Sequence, residues 1–380
     1  WGHTNWIFED TDYRKYIDSL IQKFAVMQQN QPELKYDICM QVTIPNEWEK
    51  LTNVNIGYTA GIETTRVAPE WIEKSFLMDK ILVISNHSKN TYADTSYEGT
   101  DPSGNKVKVS CQAPIEVVHY PVRKYAPARC EFDFKHDFNY LAIAQWGPRK
   151  NLENTIRWWV EEFKNDDVGL IVKTNLMKNS IIDRRHTEER LKALLNTYPD
   201  RKCKVYLIHG YMTPQEMTTL YQHEKVKCFV TLAHGEGFGL PIFEAAYNGV
   251  PIIAPDWSGQ KDFLYAERKM KKNKKTIKKV APCFAPVKYD LKNVQPEVVW
   301  DGVLIKESSW CYPKEESYKE TLRKVYKNYA RYKKLATTLK SHVSEAFEEK
   351  KMYESFCNAV YSPSQEELEW MKELSQIEIL

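Results

Sequence analysis

Residues 231–259 read TLAHGEGFGLPIFEAAYNGVPIIAPDWSG. The segment opens at the end of an apolar run, 226–232, whose β-branched and aromatic residues read as a buried strand. A glycine-rich loop follows, Gly235-Glu236-Gly237-Phe238-Gly239, and then Leu240-Pro241 opens a helix. Proline is tolerated in a first helical turn because its missing N–H would have no intrahelical partner there. Glycines allow close approach of the backbone to a ligand, and a helix amino terminus offers free N–H groups and the positive end of a dipole. Strand, loop and helix together predict a site for a diphosphate. The next strand is expected at 250–254.

Two carboxylates, Glu236 and Glu244, stand eight residues apart. The first is in the loop and the second about one turn into the helix, ~5–6 Å further along the axis. That separation suits two ends of one polar ligand better than a shared proton. An acid/base pair flanking one bond and a bidentate grip on sugar hydroxyls both remain open from the residues alone. Acidic residues near a helix start also serve simply as complements to its dipole.

Working outward, the same rhythm extends in both directions. Strand-like runs at 140–145, 169–174 and 203–208 precede helical patterns at 152–164, 187–197 and 214–222. Strands separated by helices of this length are βαβ units, which form a parallel sheet with ligands at the carboxyl ends of its strands. Helices are expected over 315–348 and 349–375. The first half has a helical pattern over 11–30 and strands at 37–43, 54–59, 80–85 and 115–119. Residues 91–106 read as a loop or hairpin, and 122–137 as a crossing linker. The division expected is 1–130, 131–348 and 349–380.

Composition bounds the class. The 380 residues suit two domains, and 42% hydrophobic with 28% charged residues is ordinary for a globular chain with a sizeable core in each half. A net charge of +3 excludes a global field for capturing polyanions. One segment is locally basic: residues 268–279 hold eight Lys or Arg in twelve. It reads either as a solvated loop or as a clamp on an anionic acceptor such as nucleic acid, anionic lipid or phosphorylated glycan. The eight cysteines show no CxxC spacing and read as reduced thiols of a cytoplasmic-type compartment, with peripheral contact at a membrane surface as the other placement. No apolar run approaches the ~18 residues that would span a bilayer.

The pattern E-G-F-G-L-P-x-x-E-A-x-x-x-G-V-P-I-I resembles the E-x7-E region of retaining glycosyltransferases of the GT-B type, specifically family 4. His209 to Met217 with Leu220-Tyr221 is similar to that family's G-[YF] segment. Gly147-Pro148-Arg149-Lys150-Asn151-Leu152 is similar to its E-P-R-K-N-L segment, and Ser258-Gly259 with Asp262 to its S-G-x-x-E segment. The resemblance covers roughly residues 138–360.

It implies an α/β GT-B fold: two Rossmann-like domains face each other across a cleft, and the last helix crosses back to the first domain. It implies transfer of a sugar from a nucleotide-diphosphate sugar to a hydroxyl acceptor, with retention and with no metal or other cofactor. Glu236 would contact the transferred sugar and Glu244 the donor ribose. Backbone amides of Gly237, Phe238, Gly239 and Leu240 would hold sugar and diphosphate oxygens. Lys150, with Arg149 adjacent, would bind the diphosphate; fixed cations and dipoles aimed at a leaving group that gains charge are the largest catalytic contribution available without a metal.

Lys173, ending the strand 169–174, is a further candidate cation, and Tyr211 in the 210–213 loop lies where the base would be contacted. The family's first strand and glycine-rich loop are expected to be missing or truncated here, since Trp1-Gly2-His3 stands directly before the first helical pattern. The family's acceptor-side histidine has no counterpart after the strand 54–59, where Glu63 takes the place. Among His87, His119 and His234, the last is the best alternative on the acceptor side. Two rival readings are a transferase acting on modified nucleic-acid bases and a catalytically silent binding protein. The donor's base and sugar, and the acceptor, are not legible in the chain.

Overall fold

Helix α1 (Asp12–Asn30) begins a first unit with β1 (Ile38–Val42), β2 (Val54–Thr59), α2 (Pro69–Ser75), β3 (Lys80–Val83), α3 (Asn86–Asp94), β4 (Ser96–Thr100), β5 (Lys106–Ser110) and β6 (Ile115–Val117). This computed structural model describes residues 11–100, 102–272, 275–362 and 369. The expectation for Trp1-Gly2-His3 therefore lies outside the described residues, as does most of the helix expected beyond 362. Strands β1, β2, β3 and β6 pair in parallel in that order. Strands β4 and β5 form the hairpin read at 91–106, although α3 claims its first residues.

The second unit runs β7 (Asn139–Ile143), α4 (Leu152–Phe163), β8 (Gly169–Lys173), α5 (Ile181–Asn196), β9 (Lys204–Ile208), α6 (Pro214–Gln222), β10 (Val226–Val230), α7 (Leu240–Asn248) and β11 (Ile252–Pro255). It continues with β12 (Tyr265–Lys272), β13 (Lys275–Pro282), β14 (Ala285–Val287), β15 (Tyr289–Asn293), β16 (Ser309–Pro313) and α8 (Glu315–Lys327). Its sheet order is β14-β11-β10-β7-β8-β9, all parallel. In chain order that is 3-2-1-4-5-6 read from β9, the doubly wound arrangement whose order reverses between β7 and β10.

Local chemistry explains these elements. Helix α4 buries Leu152, Thr155, Ile156, Trp159, Val160 and Phe163, a stripe at helical spacing against Tyr140 and Leu170 of the sheet. Each such side chain contributes roughly 1.5–3 kcal/mol on burial. Helix α6 starts with a capping box in which Thr213 and Glu216 satisfy each other's backbone N–H. Helix α7 stops at Gly249, which takes φ 73°.

Helix α9 (Tyr329–Ala346) lays Leu339 and Val343 against the cluster around Phe243, and α10 (Glu349–Val360) returns to the first sheet. Ala359 of α10 is buried with Ile56, Leu82 and Val118, and Lys80 Nζ donates to the Ala359 carbonyl at 2.8 Å. The chain thus has two Rossmann-like units and a final helix that crosses back, the GT-B fold.

One expectation is corrected. The basic stretch 268–279 is not a loop but part of an antiparallel hairpin of β12 and β13, with Arg268 opposite Lys279 and Lys269 opposite Lys278. Buried Ala266 and Ala281 anchor its base, and the charge run hid an eight-pair ladder. None of the described helices is long and apolar enough to cross a membrane, and all eight cysteines are free.

Candidate functional site

The turn after β7 and the loop after β10 leave adjacent strands at the point where the sheet order reverses. Pro148–Lys150 form one 3-10 turn, after which Asn151 adopts φ 50° and starts α4. This turn aims Lys150 at Glu236: Nζ lies 2.6 Å from Oε1 and 2.7 Å from Oε2. Arg149 NH1 donates to the Gly235 carbonyl at 2.9 Å and lies 3.4 Å from Glu236 Oε2. It also lies 3.1 Å from Glu63 Oε1, on the loop after β2 of the first unit. Two cations and two carboxylates from both units thus meet in one cluster.

Glu236 is held by its backbone as well. Its N–H donates to Ser258 Oγ at 2.9 Å, and its carbonyl accepts from the Gly259 N–H at 2.9 Å. Ser258 takes φ 64° to do this. The next four N–H groups, of Gly237, Phe238, Gly239 and Leu240, have no acceptor among the described residues. They form the free amino end of α7, aided by Gly239 at φ 94° and Pro241 in the first turn.

The glycines do a job the sequence reading did not assign them. A Cβ at Gly235 would stand 2.2 Å from the Glu63 carbonyl oxygen, and one at Gly237 would stand 2.5 Å from that of Ala60. At Gly259 it would meet the Gly237 carbonyl at 2.0 Å. Gly235 and Gly237 thus admit backbone of the first unit, and Gly259 admits the glycine-rich loop itself, not only a ligand.

Two spaces open beside the cluster. The smaller, about 240 Å³, is lined by Glu63, Lys150, Glu236, Gly237 and Gly239 among others. The larger, about 470 Å³, is aromatic-walled by Tyr120, Tyr125, Tyr211, Tyr221 and Tyr247, with Glu244 on its wall. They share Tyr120 and Leu240. Together they make one bent cleft with a charged arm and an aromatic arm. Tyr221 O–H donates to Glu244 Oε2 at 2.9 Å. Burial pushes the Glu244 carboxyl above the usual range, while the Tyr221 hydrogen bond and Lys173 oppose the rise.

The other predicted residues separate by geometry. Tyr211 is exposed and lines the aromatic arm. Lys173 lies deeper: Nζ approaches the Gly210 carbonyl at 3.4 Å, and burial lowers its pKa against the pull of Glu244. The Phe238 side chain is core, edge-on to Tyr120 and Phe243, so only its backbone faces the cleft. His234 does not line either space. Its ring is buried, stacked on Trp310 at 5.0 Å, with Nδ1 2.6 Å from the Cys311 carbonyl. Burial lowers its pKa, and it supports the loop from behind. Asp262 joins the units instead of holding ligand: its Oδ2 is 2.8 Å from His119 Nε2 and accepts from the Asn86 N–H at 2.7 Å.

Sequence reading passed over Tyr120, just after the strand expected at 115–119, and Arg123 and Tyr125, from the segment taken as a crossing linker; all three wall the aromatic arm. Aromatic and basic residues in an aperiodic stretch were the available signal. It also passed over Asp183, which accepts from the Leu176, Met177 and Lys178 N–H groups and holds His209, next to the 210–213 loop, at 2.7 Å.

The cleft between two Rossmann-like units, with free N–H groups and cations at the switch point, defines the class of site: one for an anionic, nucleotide-sized ligand. Residues 135–269 match the family model described as glycosyl transferases group 1. No curated protein matches the chain. Among solved structures, the OtsA apo structure is similar over 92% of this chain and 79% of that one, at TM-score 0.57 and 9% identity. Sucrose-phosphate synthase from Thermosynechococcus elongatus is similar over 91% and 78%, at TM-score 0.55 and 11% identity. TarM is similar at TM-score 0.51 and 15% identity over 86% of this chain but only 55% of its own, so the chain spans about half the length of that protein. At these identities the likeness is one of fold.

Proposed function

We propose that the chain is a retaining glycosyltransferase that moves a sugar from a nucleotide-diphosphate sugar to a hydroxyl acceptor without a metal. The observation that carries this reading is the meeting of Lys150, Glu236 and four unpaired N–H groups at one end of a cleft whose other end is aromatic and carries Glu244. In this reading the diphosphate lies against the α7 amino end, Lys150 and Arg149. Ribose hydroxyls are accepted by Glu244, and the base lies near Tyr211. Glu236 grips the transferred sugar. Lys173 acts at longer range by tuning Glu244. Residues 1–130 serve the acceptor side and 131–348 the donor, and within 349–380 the described helix α10 packs back on the first unit.

Leaving-group charge would then be met by fixed donors that need no rearrangement, the condition under which such stabilisation is worth most. The acceptor proton would pass to the leaving phosphate on the same face, so Glu236 need not form a covalent intermediate. The family match over 135–269 supports glycosyl transfer. The E. coli trehalose-6-phosphate structure, which shares the fold at TM-score 0.57, was solved with UDP-2-fluoro glucose. A further structure of that synthase concerns glycosyltransfer with retention.

Thermal-shift measurements with UDP-, GDP-, ADP- and CMP-sugars test the proposal. One nucleotide-diphosphate sugar should stabilise the chain, and the shift should vanish in Glu244→Ala. An undiminished shift in that variant rejects the ribose role; no shift with any of the sugars rejects the donor site.

A further inference from the structure

Arg149 is shared between two carboxylates, and only one of them belongs to its own unit. Its NH1 is 3.1 Å from Glu63 Oε1 and 3.4 Å from Glu236 Oε2. Lys150 is fully engaged by Glu236. The four formal charges therefore cancel while the cleft holds no anion. The charged groups facing Glu63 are Arg149 and Lys150 from the turn after β7 and Glu236 from the loop after β10. Its own loop, residues 60–65, carries no other ionisable side chain.

A diphosphate entering beside the α7 amino end adds at least two negative charges to this neutral set. Arg149, which bridges Glu63, Glu236 and the Gly235 carbonyl, is the cation whose redirection to the diphosphate would cost Glu63 its ion pair. The backbone of Glu63 cannot follow. Its carbonyl is clamped against Gly235, where even a methyl group would stand at 2.2 Å, and its side chain is only 25% exposed. A largely buried carboxylate that loses its cation and gains an anionic neighbour is relieved most readily by neutralisation. Burial already pushes the Glu63 carboxyl above the usual range, with Glu236 adding to the rise and Arg149 opposing it.

Building on the donor reading above, we propose that Glu63 is a proton-coupled gate on the diphosphate site. In the free protein its carboxylate occupies Arg149 across the two units. When the diphosphate binds, Glu63 releases Arg149 and one carboxyl oxygen takes a proton from solvent. The neutral acid then faces the smaller arm of the cleft as a hydrogen-bond donor. Glu63 is thus a positioning residue that makes donor affinity depend on pH.

Calorimetric titration of the nucleoside diphosphate (UDP, GDP or ADP) that stabilises the chain most, in two buffers of different ionisation enthalpy, counts the protons taken up. The difference between the native protein and Glu63→Gln cancels the ligand's own ionisation. The native protein should take up close to one more proton than Glu63→Gln. Native affinity should fall as pH rises through the range where the free carboxyl is ionised, by up to about tenfold per unit, while the variant binds several-fold tighter at the upper end. Equal proton counts with binding intact overturn the gate and leave the donor reading standing. No binding of any of the three nucleotides by the native protein overturns both. Should Glu63→Gln fail to fold, a native affinity independent of pH, after correction for the ligand, overturns the gate.

Discussion

Gly235 shows how much one residue decides at this site. It stands between His234, buried behind the loop, and Glu236, aimed at Lys150, and its missing Cβ admits the Glu63 carbonyl. Because the neighbour is backbone, it has little room to yield. Gly235→Ala should destabilise the chain by roughly 1–3 kcal/mol, the range for overpacking a filled interior. Thermal denaturation reads this directly, and an unchanged melting temperature would show that the two units do not press together there. Glu236 and Glu244 also part company at this scale. One is ion-paired with Lys150; the other is hydrogen-bonded to Tyr221 and kept from the first by the turn of α7. Their separate partners suit the proposed reading of two grips better than an acid/base pair.

Among the elements, α5 carries a device that the site depends on. Asp183, in its first turn, donates its backbone N–H to the capping Ser180 Oγ, while its carboxylate accepts from three loop N–H groups and holds His209 at 2.7 Å. The His209 hydrogen bond and these N–H groups hold its carboxyl well below the usual range, against the burial that would raise it. A depressed carboxyl contributes stability that is present above its unfolded-state value, ~4, and is lost as pH falls toward the folded value. Asp183→Asn removes the charge from these bonds and should cost roughly 2–3 kcal/mol. Its melting temperature should lose part of the native protein's fall on acidification from about pH 5 to about pH 3. A native-like acid profile in Asp183→Asn would sink this assignment. Because His209 leads into Gly210 and Tyr211, nucleotide affinity should weaken with it.

Across the whole molecule, the two units are joined, among the described residues, by polar contacts that include Arg149 with Glu63, Asn46 with Gly302 and Thr65 with Ser309, and by an aromatic plug. Asp262 binds His119 and Asn86 of the first unit, Phe238 packs on Tyr120, and α10 covers the first sheet. Asp262 is thus a latch at the rim of the cleft, on the segment that also supports Glu236 through Ser258. Asp262→Ala should let the units open. Small-angle scattering of the ligand-free variant should give a larger radius of gyration than the native chain, and nucleotide should restore part of the difference. Identical scattering of the two proteins would mean that the remaining contacts between the units suffice to hold the cleft.

Periodicity and turn chemistry made much of this architecture legible. The strand-loop-helix of 231–259, the spacing of β7 to β11 and the stop at Gly249 are local patterns, set by residues within a few positions of one another. The meeting of Lys150 with Glu236 was expected only as two motifs of one site. Their contact follows from a sheet order that brings β7 beside β10. Three things required the tertiary structure. The close approach of Ala60 and Glu63 to Gly235 and Gly237 joins chain segments more than 170 residues apart, and nothing local encodes it. The placing of His234 behind the loop depends on Trp310 and Cys311, the latter 77 residues further along the chain. The hairpin at 265–282 was masked because like charges in a row read as solvated chain, while pairing is a property of two strands together. Short-range hydrogen bonding and hydrophobic period are written in the sequence itself. Which remote backbones touch is decided by packing, where excluded volume and charge balance act between segments that no local pattern relates.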